Sequence, residues 1–171
     1  AGTTDDAKTF YQLLQETAER NKFGIHAQAY YRDFLHLFGD DRILLFAEVD
    51  GVLGAGLIAA RFGNEAIYMY GASSTHHRGR GAAFLLQFEA MRWARALGCE
   101  WYDLWGIPKR DPETMTSNGD LVPATHGDDW RGLYKFKVGF GGEIVTYPPT
   151  LERRYRPFLS FVARRRFGHR G

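Results

Sequence analysis

With 171 residues, 44% hydrophobic and 25% charged, the chain has the size and composition of one globular domain with a core of its own. Its single cysteine, Cys99, excludes an internal disulfide framework, no signal peptide is recognisable, and no apolar run reaches the length of a bilayer-spanning helix, so the expected location is the cytoplasm. The net charge of +2 is unevenly spread: residues 151–171 carry seven arginines and one acid, which leaves 15 basic and 19 acidic groups, net −4, on the first 150.

The predicted elements follow in chain order. Thr4, Asp5 and Asp6 suit the start of a helix, and Phe10, Leu13, Leu14 and Ala18 then fall at helical spacing. A second helix over residues 27–38 is expected to bury Tyr30, Phe34, Leu35 and Phe38. Three strands come next, at residues 42–49, 52–62 and 66–73. The first two are joined by Asp50-Gly51, the preferred chemistry of a two-residue hairpin, and the next turn is Gly63-Asn64, so an antiparallel meander is expected. The glycine-rich stretch 75–83 opens a helix over residues 82–97, with Phe84, Leu85, Phe88, Met91 and Ala94 on one stripe and Gly98 at its end. A strand is expected at residues 100–107, and the order strand, glycine-rich loop, helix, strand predicts that the last two strands are parallel neighbours with a crossover helix. Residues 108–131 read as a long polar loop, of a length that is often functional. "GLYKFKVGFGGE" (132–143) alternates apolar and polar residues and reads as a strand, with a short strand at 143–147 after it. Pro148-Pro149 marks a boundary, so the expected organisation is an α/β domain over 1–150 and a basic helical tail over 151–171. The tail suits phosphate, nucleic acid or an anionic membrane surface, or is a solvated helix face.

Arg78-Gly79-Arg80-Gly81-Ala82-Ala83 is the first chemical candidate. Backbone N–H groups freed by glycine at a helix N-terminus bind anions, and two arginines add charge. The spacing of Arg78, Gly81 and Ala83 resembles the pyrophosphate loop of the GNAT acyltransferases, and the preceding meander is the matching context. The other reading is a glycine-rich turn with solvated arginines.

Four blocks extend the likeness: "FYQLLQETAERNKFGI", "LLFAEVDGVLGAGLIAARFGNEAIYMYGASS", "LLQFEAMRWARALGCEWYDLWGIP" and "GLYKFKVGFGGE". In this order they resemble the second, GNAT-like domain of the FemABX peptidyltransferases, from about Phe10 to about Tyr147. The resemblance implies a GNAT-like mixed sheet flanked by helices. It also implies transfer of an amino acid from aminoacyl-tRNA to the stem peptide of a peptidoglycan precursor, nucleotide-linked (UDP) or lipid-linked, with no cofactor and with peripheral contact at the inner membrane face. Family members hold two such domains, so the expectation is a chain that lacks the N-terminal one, as a fragment or a short member. The complete glycine-rich spacing keeps a CoA-dependent N-acyltransferase, using acetyl-CoA, as an alternative. A non-catalytic module that binds tRNA or precursor is a second one.

The resemblance also carries residue roles. Its "FK" pair falls on Phe136 and Lys137, and it implies a lysine at the reaction centre. A fixed ammonium beside the ester carbonyl stabilises the oxyanion that forms when an amine attacks, and one good donor of this kind is worth ~3–4 kcal/mol. On a regular strand Lys135 would share the face of Lys137 and reach phosphate, with Tyr134 and Phe136 anchored in the core on the other side. Gly139, Gly141 and Gly142 would let backbone approach a large substrate. Without the resemblance, the same stretch reads as a solvated edge strand with lysines for solubility.

Tyr102 and Asp103 are further candidates. Asp103 suits orienting a substrate amine or a structural role at a strand end, and Tyr102 and Trp105 suit packing or the lining of a groove. His76 and His77 flank the glycine-rich loop as phosphate contacts or plain surface residues. Cys99 reads as a small buried hydrophobe. The histidines and the lone cysteine show no metal-ligand spacing.

Overall fold

The computed structural model describes residues 1–77, 79–107, 131–148 and 151. Residues 1–140 form one compact unit and residues 141–171 a second. The long loop expected at 108–131 lies outside the described residues except for Arg131, as do Arg78 and, beyond Leu151, the expected basic tail.

In the first unit, Thr3 and Asp6 form a reciprocal capping box around a short 3-10 turn. The helix α1, Ala7–Asn21, follows and buries Phe10, Leu13, Leu14 and Ala18 as its spacing dictates. The helix α2, Gln28–Phe38, is turned by one residue from the sequence expectation. Tyr31 is 1% exposed, whereas Tyr30 is 41% exposed. Tyr31, Phe34, Leu35 and Phe38 complete the i, i+3, i+4, i+7 stripe that Tyr30 does not fit. Tyr31 also places its hydroxyl oxygen where the His26 N–H donates to it, at 3.2 Å.

The strands β1 (Arg42–Val49), β2 (Val52–Phe62) and β3 (Glu65–Ser73) form the expected antiparallel meander. Asp50 and Gly51 both have positive φ, +54° and +77°, as a type I′ hairpin turn requires. The helix α3, Ala82–Ala96, crosses back, and β4, Trp101–Asp103, pairs parallel with β3, giving the order β1-β2-β3-β4. The fold is thus a mixed α/β sheet with helices on both faces. One face packs Leu44, Ile58, Ala60 and Ala72 against α1 and α2, and the other packs Ala47, Ala55, Leu57 and Ala59 against Leu86 and Ala90 of α3.

Three elements depart from the sequence expectation. Phe84, Leu85 and Phe88 of α3 are half exposed, and the buried stripe is Leu86, Gln87, Ala90 and Ala94. The sheet offers α3 a bed of alanines, over which small side chains let the helix sit close and large ones do not fit. The strand β4 ends at Asp103, because the Asp103 carboxylate accepts the Trp105 N–H at 2.7 Å and Trp105 turns the chain with a φ of +66°. "RGLYKFKV" is not a strand but a helix, α4, Arg131–Val138. Leu133, Phe136, Lys137 and Phe140 also fit i, i+3, i+4, i+7, and in so short a stretch that period and the alternating one both match. In the second unit, residues 143–147 carry no regular secondary structure where a short strand was expected.

Candidate active site

The sheet itself creates the opening. The strand β4 pairs only with Glu65–Ile67, so among the described residues the later part of β3, Tyr68 to Ser73, has no strand beside it on that side. A cavity of about 1000 Å³ lies there, walled by β2 and β3, α1, the start of α3, Trp105–Ile107 and α4.

At one end of the wall, Gly81 precedes α3 with a φ of +80°, a conformation that suits glycine. Among the described residues no side chain caps the helix, so its first-turn amides are available to an anion. Gly79, Gly81, Ala82 and Ala83 line the cavity. On the α1 side, Thr17 accepts the Ser73 N–H at 2.9 Å. Arg20 donates to the Ser73 carbonyl at 2.9 Å and to the Thr75 hydroxyl at 2.9 Å, which pins the end of β3.

The helix α4 supplies the facing wall. The Phe136 ring packs edge-on against Phe84 of α3, centroids 4.9 Å apart, and Phe140 joins both. Docked through these rings, α4 turns Lys137 inward. Lys137 is 6% exposed, donates to the Gly106 carbonyl at 2.8 Å, and places Nζ 5.8 Å from the centroid of the Tyr68 ring. Burial pushes its pKa from the ordinary 10.5 down to about 8, with the Asp103 carboxylate opposing the shift. Nearby, burial pushes the Tyr68 phenol up to about 12, and it raises Tyr102 as well, with Tyr68 adding to the effect. A buried ammonium that loses its proton close to neutral pH, among phenols that stay protonated, forms a weakly hydrated centre in which one proton added or removed changes the local field strongly.

The structure thus brings Gly79, Gly81, Lys135, Phe136 and Lys137 to one cavity. The two lysines do not share a face as a strand would require. Two helical steps place them about 200° apart, and Lys135 is exposed while Lys137 is buried. Arg80 does not line the cavity; it pairs with Asp50 of the β1–β2 hairpin at 3.1 Å, both side chains exposed. Asp103 and Tyr102 stand outside the lining. Asp103 holds the turn at Trp105, and the Tyr102 hydroxyl donates to Gln87 at 2.8 Å. His77 and Trp105 line the cavity, and the His76 N–H donates to the Ser74 hydroxyl. Among the described residues no group of histidines, cysteines and carboxylates could hold a metal ion.

Sequence reasoning missed Thr17, Arg20, Tyr68 and Gln87. Only Gln87 left a trace, as a lone amide between Leu86 and Phe88 in the helix "AAFLLQFEAMRWARA".

Comparison with known proteins places this geometry. A solved aminoglycoside N-acetyltransferase in complex with a bisubstrate analogue superposes with a TM-score of 0.58 at 13% identity, over 91% of this chain and 95% of that one. The ribosomal-protein-alanine N-acetyltransferase of Brucella melitensis biovar Abortus 2308 gives 0.55 at 19% identity, over 90% and 95%. At such identities these likenesses concern the fold, which is that of the GNAT acetyltransferases. The lipid II:glycine glycyltransferase of Staphylococcus epidermidis is 36% identical over 70 residues, in each of two strains. That segment is 39% of this chain and only 17% of the relative's length. The FemAB family model matches residues 1–52 and 50–163, nearly the whole chain, and the chain belongs to the FemAB family.

Proposed function

We propose that this chain is an aminoacyltransferase domain that moves an amino acid from aminoacyl-tRNA to the stem peptide of a peptidoglycan precursor. The observation that carries the reading is Lys137, a buried lysine held by a backbone carbonyl at the wall of a large cavity, in a chain of this family. The kinship with a protein named lipid II:glycine glycyltransferase adds the acceptor class. In the reaction an acceptor amine attacks the ester carbonyl and the C–N bond forms. Negative charge gathers on the carbonyl oxygen, where the Lys137 ammonium opposes it. The ester C–O bond then breaks, the amine loses a proton, and the ribose oxygen of the tRNA gains one. The first-turn amides of α3, with Lys135 on the same cavity, suit a phosphate of either substrate. No cofactor is needed, because the tRNA ester is already activated. The seven arginines of the tail suit tRNA or the anionic inner membrane face where lipid-linked precursors lie. An N-terminal GNAT-like domain, the usual companion in this family, is the expected partner.

One observation favours a second reading, a CoA-dependent N-acyltransferase. The uncapped N-terminus of α3 opens on the cavity behind a complete Arg78…Gly81…Ala83 spacing. Calorimetric titration of the full chain with aminoacyl-tRNA, a nucleotide-linked muropeptide and acetyl-CoA separates the two. The proposal expects salt-sensitive binding of the first two and none of the third. Micromolar binding of acetyl-CoA alone would replace it with the second reading. Binding of tRNA or precursor without transfer, with the companion domain present, would make this a non-catalytic module.

A further inference from the structure

Gln87 is 1% exposed, lines the cavity, and has no part in the reaction proposed above. The Tyr102 hydroxyl donates to its Oε1 at 2.8 Å. That bond fixes the amide with Nε2 as its remaining end, and Nε2 is buried without a hydrogen-bond partner among the described residues. A buried N–H donor left unpaired weakens a fold, whereas leucine or methionine at this place would fill the same space without that loss. The surroundings also define what Nε2 suits. Leu57, Leu86 and Ala55 are apolar, and the phenols of Tyr68 and Tyr102 stay protonated. A neutral acceptor can be desolvated there at small cost, because the Nε2 donor replaces the bond it loses to water.

We infer that Gln87 is a ligand-binding residue whose Nε2 donates to a neutral carbonyl oxygen, of an amide or ester, on the acyl donor that fills the cavity, with Tyr102 as its positioning residue. This deepens the reading above and rests on it for the identity of the donor. The aminoacyl ester of tRNA carries such a carbonyl, and the amides of acetyl-CoA carry the same chemistry.

The test uses the full chain, wild type and Gln87→Met/Tyr102→Phe, which removes the donor and its holder together. Two carbonyl probes are titrated by calorimetry: acetyl-CoA, and a 3′-aminoacylamino-3′-deoxyadenosine whose amide stands in for the ester. A third probe is the adenosine analogue with the carbonyl reduced to a methylene. The inference expects the double variant to melt at or above the wild-type temperature. It also expects about tenfold weaker binding of a carbonyl probe, the scale of one hydrogen bond, with the reduced probe unchanged. Adenosine-amide binding that stays within about twofold in the variant, or an equal loss for the reduced probe, overturns the inference and leaves the tRNA reading standing. Binding of acetyl-CoA alone, weakened in the variant, keeps the inference and removes the tRNA reading. A wild type that binds neither carbonyl probe overturns both, and a marked fall in melting temperature with unchanged affinity makes Gln87 a core residue.

Discussion

Replacing Lys137 with methionine tests the electrostatic core of the site, and its size can be worked out. The lysine titrates at an ordinary 10.5 when unfolded and at about 8 in the fold. Its folded pKa is lowered, so the unfolded chain binds more protons between those values, and this group's contribution to stability rises with pH across that window. At pH 7 the buried ammonium carries nearly the full penalty, about 3 kcal/mol from 2.5 units at 1.36 kcal/mol each. By about pH 9.5, deprotonation in the fold has relieved about 2 kcal/mol of it. The variant carries no such penalty, although it leaves the Gly106 carbonyl without its donor at a pH-independent cost of ~1 kcal/mol. Urea unfolding of both proteins at the two pH values isolates the term, because every other titrating group cancels in the difference. The stability advantage of Lys137→Met should shrink by about 2 kcal/mol from pH 7 to about pH 9.5, equivalent to ~4–8 °C in melting temperature for a chain of this size. A difference that stays constant within ~0.5 kcal/mol would mean that the lysine titrates normally and is not a desolvated group.

Four further outcomes follow from the same geometry. If Lys137 acts as an ammonium, the transfer rate with the companion domain present should fall as pH rises through about 8, and a rate that climbs through that pH would make it a base instead. Gly81→Ala places a side chain at a φ of +80° and should lower stability by ~1–2 kcal/mol with weaker phosphate binding, checked by melting and by titration with inorganic pyrophosphate. Gly71→Ala would set a Cβ against the Tyr68 hydroxyl, so the ring must swing, and the tyrosine fluorescence and ligand affinity should change together while the fold persists. Phe84→Ala removes the ring that docks Phe136 and Phe140, and should cost ~1–2 kcal/mol and speed hydrogen exchange in α4 ahead of α3.

Much of this architecture is legible in the amino-acid sequence. The meander needs only three short apolar runs and the Asp50-Gly51 and Gly63-Asn64 turns between them, all local signals. The parallel pairing of β4 with β3 follows from a helix lying between two strands. The candidate site is legible only in part. "FK" marks a place, but not the element that carries it, because the alternation in "LYKFKV" fits two periods over six residues. Arg80 and Asp103 look chemical because they are charged, yet each is spent on a local bond, one to Asp50 and one to the Trp105 N–H. Gln87 stands out in the chain only as a lone amide between Leu86 and Phe88, and nothing in a linear stretch reveals that this helix face will be pressed against alanines and closed by Tyr102.

The sequence alone determined β1, β2 and β3, their turns and the glycine that opens α3, since these depend on each residue's own backbone preference and on patterns a few residues long. Tertiary structure alone decided which lysine is chemically unusual. Lys135 and Lys137 are two positions apart and alike in the chain. When Phe136 packs on Phe84, α4 takes a rotation that leaves Lys135 on the exposed side and seals Lys137 against Gly106 and Tyr68. Desolvation, which sets the pKa of Lys137, belongs to that packed arrangement and to no residue by itself.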